Sequence, residues 1–370
     1  MIPIALPSAG FFIFLSVGFF AGLLLLGWAV VLAISGSARR TVRKYWKTST
    51  LLLLVLAAPF SFYVWVQAVM WQIEKESGRR EAARNVTLAQ ATAVSGVTMP
   101  AGTRLTLQDE GKLDTYVEAD FPQAVNIQGV EATSARRYLD TEYDKETYVT
   151  LGRHPRTVIL RGAGEQVVQG WRCDAGQDIE FDVEPDGAMK TLTQCVLAQG
   201  NQAAGLAIAR GAVLRGSSGT VYTDGSRDPD RWWIEIKDDT AVQVFGLFLS
   251  KPRIYLDDAR KLVRVTDAEL ACPTEFGGLR YAPGTQFKTA GRGSGDARDP
   301  YPGILVFSPW NGQAASRPGL EDVPEGMSVM QTLQGQVVDI VKNEAAGVFR
   351  FATIIVDDEQ PTTPARARCP

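Results

Sequence analysis

Residues 11–34 read FFIFLSVGFFAGLLLLGWAVVLAI and residues 51–71 read LLLLVLAAPFSFYVWVQAVMW, and neither run contains Asp, Glu, Lys, Arg or His. A helix needs roughly 20 apolar residues to cross a bilayer core, so each run is long enough to span. Between them lie Arg39, Arg40, Arg43, Lys44 and Lys47, whereas residues 1–10 carry no charged side chain. That asymmetry predicts a cytoplasmic connector. Two spans return the chain to the opposite face, which for a bacterial inner membrane is the periplasm. The expected order is a tail at 1–10, spans at 11–34 and 51–72 around a basic connector at 35–50, and a charged helical stalk at 73–85. An exported domain follows at 86–358, open to division near 205/206, and then a Pro-rich tail at 359–370.

A cleaved signal peptide would carry a basic leader and an apolar core of about 7–15 residues, so the first run reads as a retained span. Pro59 falls inside the second span, where it predicts a kink. With no ionisable group in either run, nothing marks an ion path or a transported substrate, and the pair reads as an anchor. Gln67 is the one strongly polar side chain there.

The chain has 370 residues and a formal net charge of −3, which gives no reason to expect nucleic acid as a partner. All four cysteines, Cys173, Cys195, Cys272 and Cys369, fall in the exported part, where oxidising surroundings permit disulfides. The preferred pairing is Cys173 with Cys195 and Cys272 with Cys369, the second tying the Pro-rich tail to the domain; four buried thiols are the alternative. Zinc is disfavoured because there is no C-x-x-C and the sole histidine is His154.

Beyond residue 86, short apolar alternations such as Arg104-Leu105-Thr106-Leu107 and Trp233-Ile234-Glu235-Ile236 are cut by glycine, the mark of half-buried strands. Four short units centred on Gly102, Gly176, Gly211 and Gly284 place an apolar residue soon after the glycine. In the first three a second glycine, Gly111, Gly187 or Gly219, leads into a return strand. Each reads as a β-hairpin with glycine at its corners. The leading glycines fall close to multiples of ~36 residues, within the range typical of repeat architectures. The expected fold is therefore a mainly β exported domain behind two transmembrane α-helices, with hairpin repeats forming a sandwich, a barrel or a short solenoid. Residues 132–143 and 323–333 each suggest two or three helical turns, and 257–262 a weaker helix. Residues 240–249 and 348–356 are apolar enough for fully buried strands.

Catalytic templates lack their parts. No G-x-S-x-G elbow accompanies His154, and no P-loop or H-E-x-x-H occurs. The adjacent acids Asp238-Asp239, Asp257-Asp258 and Asp357-Asp358 would point to opposite sides of a strand and read as turn formers. The acidic stretch 224–230 lacks the EF-hand order. No catalytic residue, metal ligand or cofactor is expected. The binding candidates are Arg231 and Trp232, which follow that acidic stretch, with Tyr301 and Trp310 at the matching place in a second unit, because Trp, Tyr and Arg dominate interface hot spots. Trp232 and Trp233 are neighbours in an alternating run, so one of them must face inward.

Met99-Pro100-Ala101-Gly102-Thr103 with Gly111-Lys112-Leu113, and Tyr281-Ala282-Pro283-Gly284-Thr285, resemble the Gly-centred β-hairpin repeats of some bacterial membrane-anchored periplasmic proteins, including toxin immunity proteins. The resemblance covers about a quarter of the chain, and residues 208–214 depart from it in lacking the Pro and Thr. It implies a protein partner, such as a secreted toxin, bound by occlusion, and it implies no catalytic residue. A structural component of an envelope or secretion assembly is the alternative function, and a carboxylate-dependent hydrolase the second.

Overall fold

A computed structural model of the protein describes residues 9–184, 186–219, 221, 225–236, 241–290, 303–348 and 369. The chain forms two compact units, residues 1–85 and 86–370.

In the first unit, α1 (Ala9–Ile34) and α3 (Trp46–Arg84) are the two helices long and apolar enough to cross a membrane, joined by the short basic helix α2 (Gly36–Lys44). Ser35 caps α2 by accepting a hydrogen bond from the Ala38 amide. α1 and α3 pack through glycine. A Cβ on Gly18 would sit 2.7 Å from the Pro59 carbonyl oxygen, and one on Gly22 would meet the Phe60 ring at 2.5 Å. The Gly18-x-x-x-Gly22 spacing is thus a close-approach seam of the kind that drives helix association in lipid. Phe14 meets Phe62 edge-on at 5.1 Å beside it. Pro59 lies inside α3, which continues through the charged stretch to Arg84. At 1.5 Å per residue its 39 residues extend for about 58 Å, well beyond a bilayer core.

The second unit is β-structured. An eleven-stranded sheet and a seven-stranded sheet carry it, together with small two-stranded hairpins. One contiguous apolar core runs through the unit from Leu88 to Val329. The strand registers show how alternation builds that core. On the inner face Leu105, Ala119, Ala135, Leu160 and Ile179 are successive cross-strand partners, and Cys195, Leu214, Ile234, Ile254 and Val265 form a second such row. On the outer face the row is Glu118, Arg136, Ile159, Glu180, Gln194, Arg215, Trp233, Tyr255 and Arg264. Period-two patterning therefore separates an apolar side from a polar side across the sheet.

The glycine-cornered strands occur where expected: Arg104–Leu107 after Gly102, Ile179–Val183 after Gly176, Val213–Gly216 after Gly211 and Gln286–Thr289 after Gly284. The sequence reading missed a second set of turns. Ser95-Gly96, Gln169-Gly170, Ala204-Gly205, Phe245-Gly246 and Gly277-Gly278 each close a two-residue hairpin, and both positions of each have positive φ. Positive φ at both positions is the type I′ geometry that matches strand twist. Gly96 and Gly102, Gly205 and Gly211, and Gly278 and Gly284 stand at one constant separation. In each case the corner glycine donates to a leucine carbonyl, Leu88, Leu197 or Leu270, and that leucine's amide donates to the carbonyl of the residue after the corner, Thr103, Ala212 or Thr285.

Three helix expectations fail. Residues 132–143 belong to the strand Val130–Tyr143, whose alternate residues Ala135 and Arg137 are buried against neighbouring strands. Pairing on both sides outweighs the local helical propensity of Ala and Arg. Residues 323–333 hold the strand Met327–Thr332, and 257–262 form a turn in which the Asp257 side chain accepts from the Lys261 amide at 2.8 Å. The expected single strand at 240–249 is broken at Phe245-Gly246 into Val242–Val244 and Leu247–Ser250. The expected strand at 348–356 lies outside the described residues apart from Val348. Position 205/206 falls within a small hairpin whose flanking strands pair directly through Cys195 and Leu214.

Both preferred disulfides are present, Cys173 with Cys195 and Cys272 with Cys369. The first joins a small hairpin, through Trp171–Asp174, to the large sheet, through Met189–Val196.

Candidate interaction surface

Arg231 and Trp232 lie together at the start of the strand Trp232–Glu235, but Trp232 is the inward member of its pair, 7% exposed and edge-on to Trp171 at 5.9 Å. The Arg231 guanidinium lies 4.8 Å over the Trp232 ring and its Nε stands 3.6 Å from the Asp258 carboxylate. Trp171 is fully buried, and Arg260 covers it at 3.9 Å while donating to the Gly170 carbonyl. These contacts are a packed cation–aromatic seam on the core side.

Trp233, one residue on, faces the polar side and is half-buried. It stacks on Tyr255 and is flanked by Arg215 at 5.2 Å and Arg253 at 4.9 Å. Arg264 covers Tyr255 and pairs with two buried acids, Asp228 at 2.9 Å and Asp230 at 3.6 Å. The acidic stretch therefore fastens its loop to the sheet through Arg264. Trp310 follows the strand Ile304–Ser308 of the other sheet and lines a cleft of about 400 Å³ with Phe287 and Lys288, a lining that does not include Arg231. Burial in that cleft lowers the Lys288 pKa, and its ammonium donates to the Gly347 carbonyl at 2.7 Å. Tyr301 lies outside the described residues, as do Asp238-Asp239 and Asp357-Asp358. Among the described residues no three His, Cys, Asp or Glu side chains are grouped to hold a metal.

Among the described residues of the β-domain, the largest exposed apolar cluster is one the sequence reading did not single out. Strands Val130–Tyr143 and Thr150–Gly162 are the longest among the described residues. Their inner halves pair on both sides, with Tyr116–Ile127 as far as Arg136 and with Ile179–Val183 from Thr157 to Leu160. Beyond those points the two strands pair only with each other among the described residues, and they form an arm. Tyr148 is 80% exposed, Leu151 62%, Val149 61% and Tyr143 55%. Arg153 holds the base of the arm through Asp109 at 3.2 Å. At the tip the Asp144 carboxylate accepts from the Thr147 amide, the Thr147 hydroxyl and the Glu146 amide, which lowers its pKa. The arm thus offers apolar side chains and open strand edges on a fixed turn. His154 sits within it, opposite Asp140.

Comparison with known protein families, curated proteins and solved structures returns no match.

Proposed function

We propose that this chain is a membrane-anchored binding protein whose β-domain, displayed in the periplasm of a bacterium with inner-membrane spans, docks another protein through the 138–152 arm. The carrying observation is the exposure of Tyr143, Tyr148, Val149 and Leu151 at the ends of two strands, and in the turn between them, whose inner halves are buried. Exposed apolar clusters of this kind mark interaction sites, and open strand edges can accept a partner strand. The particular role proposed, on the resemblance of the Pro-Ala-Gly-Thr and Ala-Pro-Gly-Thr units to hairpin repeats of immunity proteins, is neutralising a toxin delivered to the periplasm. Three occurrences of the same leucine clasp, hairpin and corner glycine support reading the domain as repeats of one unit. Anchoring supports the reading too, because confinement raises local concentration where a membrane-directed toxin works.

A photo-crosslinking residue placed at Tyr148 or Leu151 of the full chain in its native membrane tests it. A discrete protein adduct should form there and not from Val167 or Leu320, which are as exposed but lie off the arm. Equal labelling from all four positions, or none from the arm, removes the reading. An adduct of fixed composition in cells lacking any toxin would instead favour an envelope assembly.

A further inference from the structure

Arg137 occupies a place where the sheet otherwise puts apolar side chains. It follows Ala132 and Ala135 on the strand Val130–Tyr143 and is 4% exposed. A cation so placed needs partners, because burying a charge without them is costly. Its partners are unusual. Nε and Nη2 donate to the Tyr116 carbonyl at 3.0 and 2.8 Å, Nη2 also donates to the Asp114 carbonyl at 2.5 Å, and the guanidinium lies 3.4 Å over the Tyr116 ring. Among the described residues no carboxylate comes within ion-pair distance, and Nη1 has no partner. Two carbonyls and a ring satisfy one side of the fork, and the Asp114 carboxylate, beyond ion-pair distance, only partly offsets the charge.

Arg137 and Tyr116 line a cavity of about 550 Å³, within the size range of small-molecule sites. Val97, Val125, Ile127, Val158 and Met189 supply an apolar part of the wall, and the exposed hydroxyls of Ser95 and Thr98 stand at its rim. Three other polar side chains are engaged. Asn126 bonds Glu131 and the Gly129 amide, Gln128 accepts from the Met189 amide, and Asp186 accepts from the Ala188 amide. Asp186 brings one negative charge to the wall, which opposes a dianion more than a monoanion. We infer that this cavity binds a small monoanionic carboxylate carried on an apolar stem, with Arg137 Nη1 meeting the carboxylate and the aliphatic wall burying the stem. A charge-assisted bond from guanidinium to carboxylate would complete the fork. Burial lowers the Arg137 pKa, and the neighbouring Tyr116 and Asp114 oppose that shift only in part. This site is independent of the arm's exposed tip, so either can fail without the other.

The test uses the full chain in lipid nanodiscs, with empty nanodiscs as the blank, titrated separately with 4-phenylbutyrate, 4-phenylbutyramide and inorganic phosphate. Binding is read by ligand-observed NMR and by the thermal unfolding midpoint. 4-Phenylbutyrate should bind saturably and raise the midpoint; the amide should bind about tenfold more weakly, and phosphate should neither bind nor compete. A tenfold ratio corresponds to about 1.4 kcal/mol. Arg137→Met should equalise acid and amide. Val125→Phe, which fills the cavity and leaves the guanidinium in place, should abolish binding of both. Equal affinity for acid and amide in the unaltered chain overturns the inference, as do an acid preference that survives Arg137→Met, full binding by Val125→Phe, competition by phosphate, or no saturable binding. Should Arg137→Met not fold, the acid-to-amide ratio of the unaltered chain and the Val125→Phe result decide.

Discussion

The strands Val130–Tyr143 and Thr150–Gly162 have two different halves. Near the body of the sheet, Ala132, Ala135, Val158, Ile159 and Leu160 are all buried; toward the tip, Tyr143, Tyr148, Val149 and Leu151 are of similar apolarity and stand in solvent. Tyr143 and Leu151 share the strand geometry of the inner half, and Tyr148 and Val149 stand in the connecting turn, so the contrast comes from what lies on either side. The inner half has neighbouring strands and a shared core, and the outer half has neither. Burial of apolar surface contributes about 25 cal/mol per Å², so the inner side chains stabilise the fold while the outer ones stabilise nothing in the isolated chain. Apolar groups that do not serve the fold are the ones available to a partner.

That contrast breaks first if the body is not where stability resides. Trp171→Ala removes a fully buried indole covered by Arg260 and should cost about 3–5 kcal/mol, measured as a large fall in the denaturation midpoint of the β-domain. A change confined to surface behaviour would show that the core does not hold the sheet. Opening the Cys173–Cys195 bridge by a double change to serine should cost about 2–4 kcal/mol, seen as a midpoint shift that reduction of the unaltered protein, which opens Cys272–Cys369 as well, equals or exceeds. Thr103→Val and Thr285→Val probe the recurring corner. Each hydroxyl donates to a carbonyl three residues back at 2.8 Å, Pro100 in one and Ala282 in the other, so each change should cost about 1 kcal/mol. Similar costs at both positions sharpen the repeat reading, and a cost at only one counts against it.

How far these features could be read in advance depended on whether a local rule or a distant neighbour decided them. The two helices long and apolar enough to cross a membrane were legible because such a run of apolar residues is set by composition alone and needs no tertiary contact. The preferred cysteine pairing was one of three that the sequence left open, and both its bridges are present, while the strands after Gly102, Gly176, Gly211 and Gly284 were legible from alternation. The close seam at Gly18 and Gly22 was present in the sequence as GFFAG but needed the facing Pro59 and Phe60 to give it meaning. The type I′ turns went unseen because Ser95, Gln169, Ala204 and Phe245 are not the asparagine or aspartate that usually announces them, although the glycine after each does. Residues 132–143 misled because Ala, Arg and Leu favour helix in isolation and only flanking strands make them a strand. For Trp232 and Trp233 alternation required that one face inward, but the phase was fixed by Leu214 and Ile254 pairing with Ile234, two neighbours far away in the chain. Burial of Arg137 had no local signal at all.

The arm itself should separate binding from stability. Tyr148→Ser with Leu151→Ser removes side chains that touch little, so the midpoint should move by no more than about 0.5 kcal/mol per site, while crosslinking to a partner from neighbouring arm positions should disappear. A large loss of stability would mean that the tip packs against something within the chain, and the distinction between the two halves would fall.

The smallest effect concerns how the tip keeps its shape. The carboxylate of Asp144 is partly exposed, and three donors from Thr147 and Glu146 favour its charged form and hold its pKa below the ordinary aspartate value of about 3.9. A group whose folded pKa is depressed contributes its full stabilisation above the unfolded value and loses it as the pH falls through the folded one. The turn should therefore be indifferent to pH across the neutral range and loosen only on acidification below the usual aspartate range. Hydrogen exchange at the Thr147 and Glu146 amides, compared with that at Ile159 in the body, measures this. Protection at the tip should weaken in acid while Ile159 remains protected, and Asp144→Asn should lower tip protection at neutral pH and remove most of the acid dependence. An arm that loosened together with the body would be part of one cooperative unit, and its exposed tyrosines would then have to be explained by folding instead of by binding.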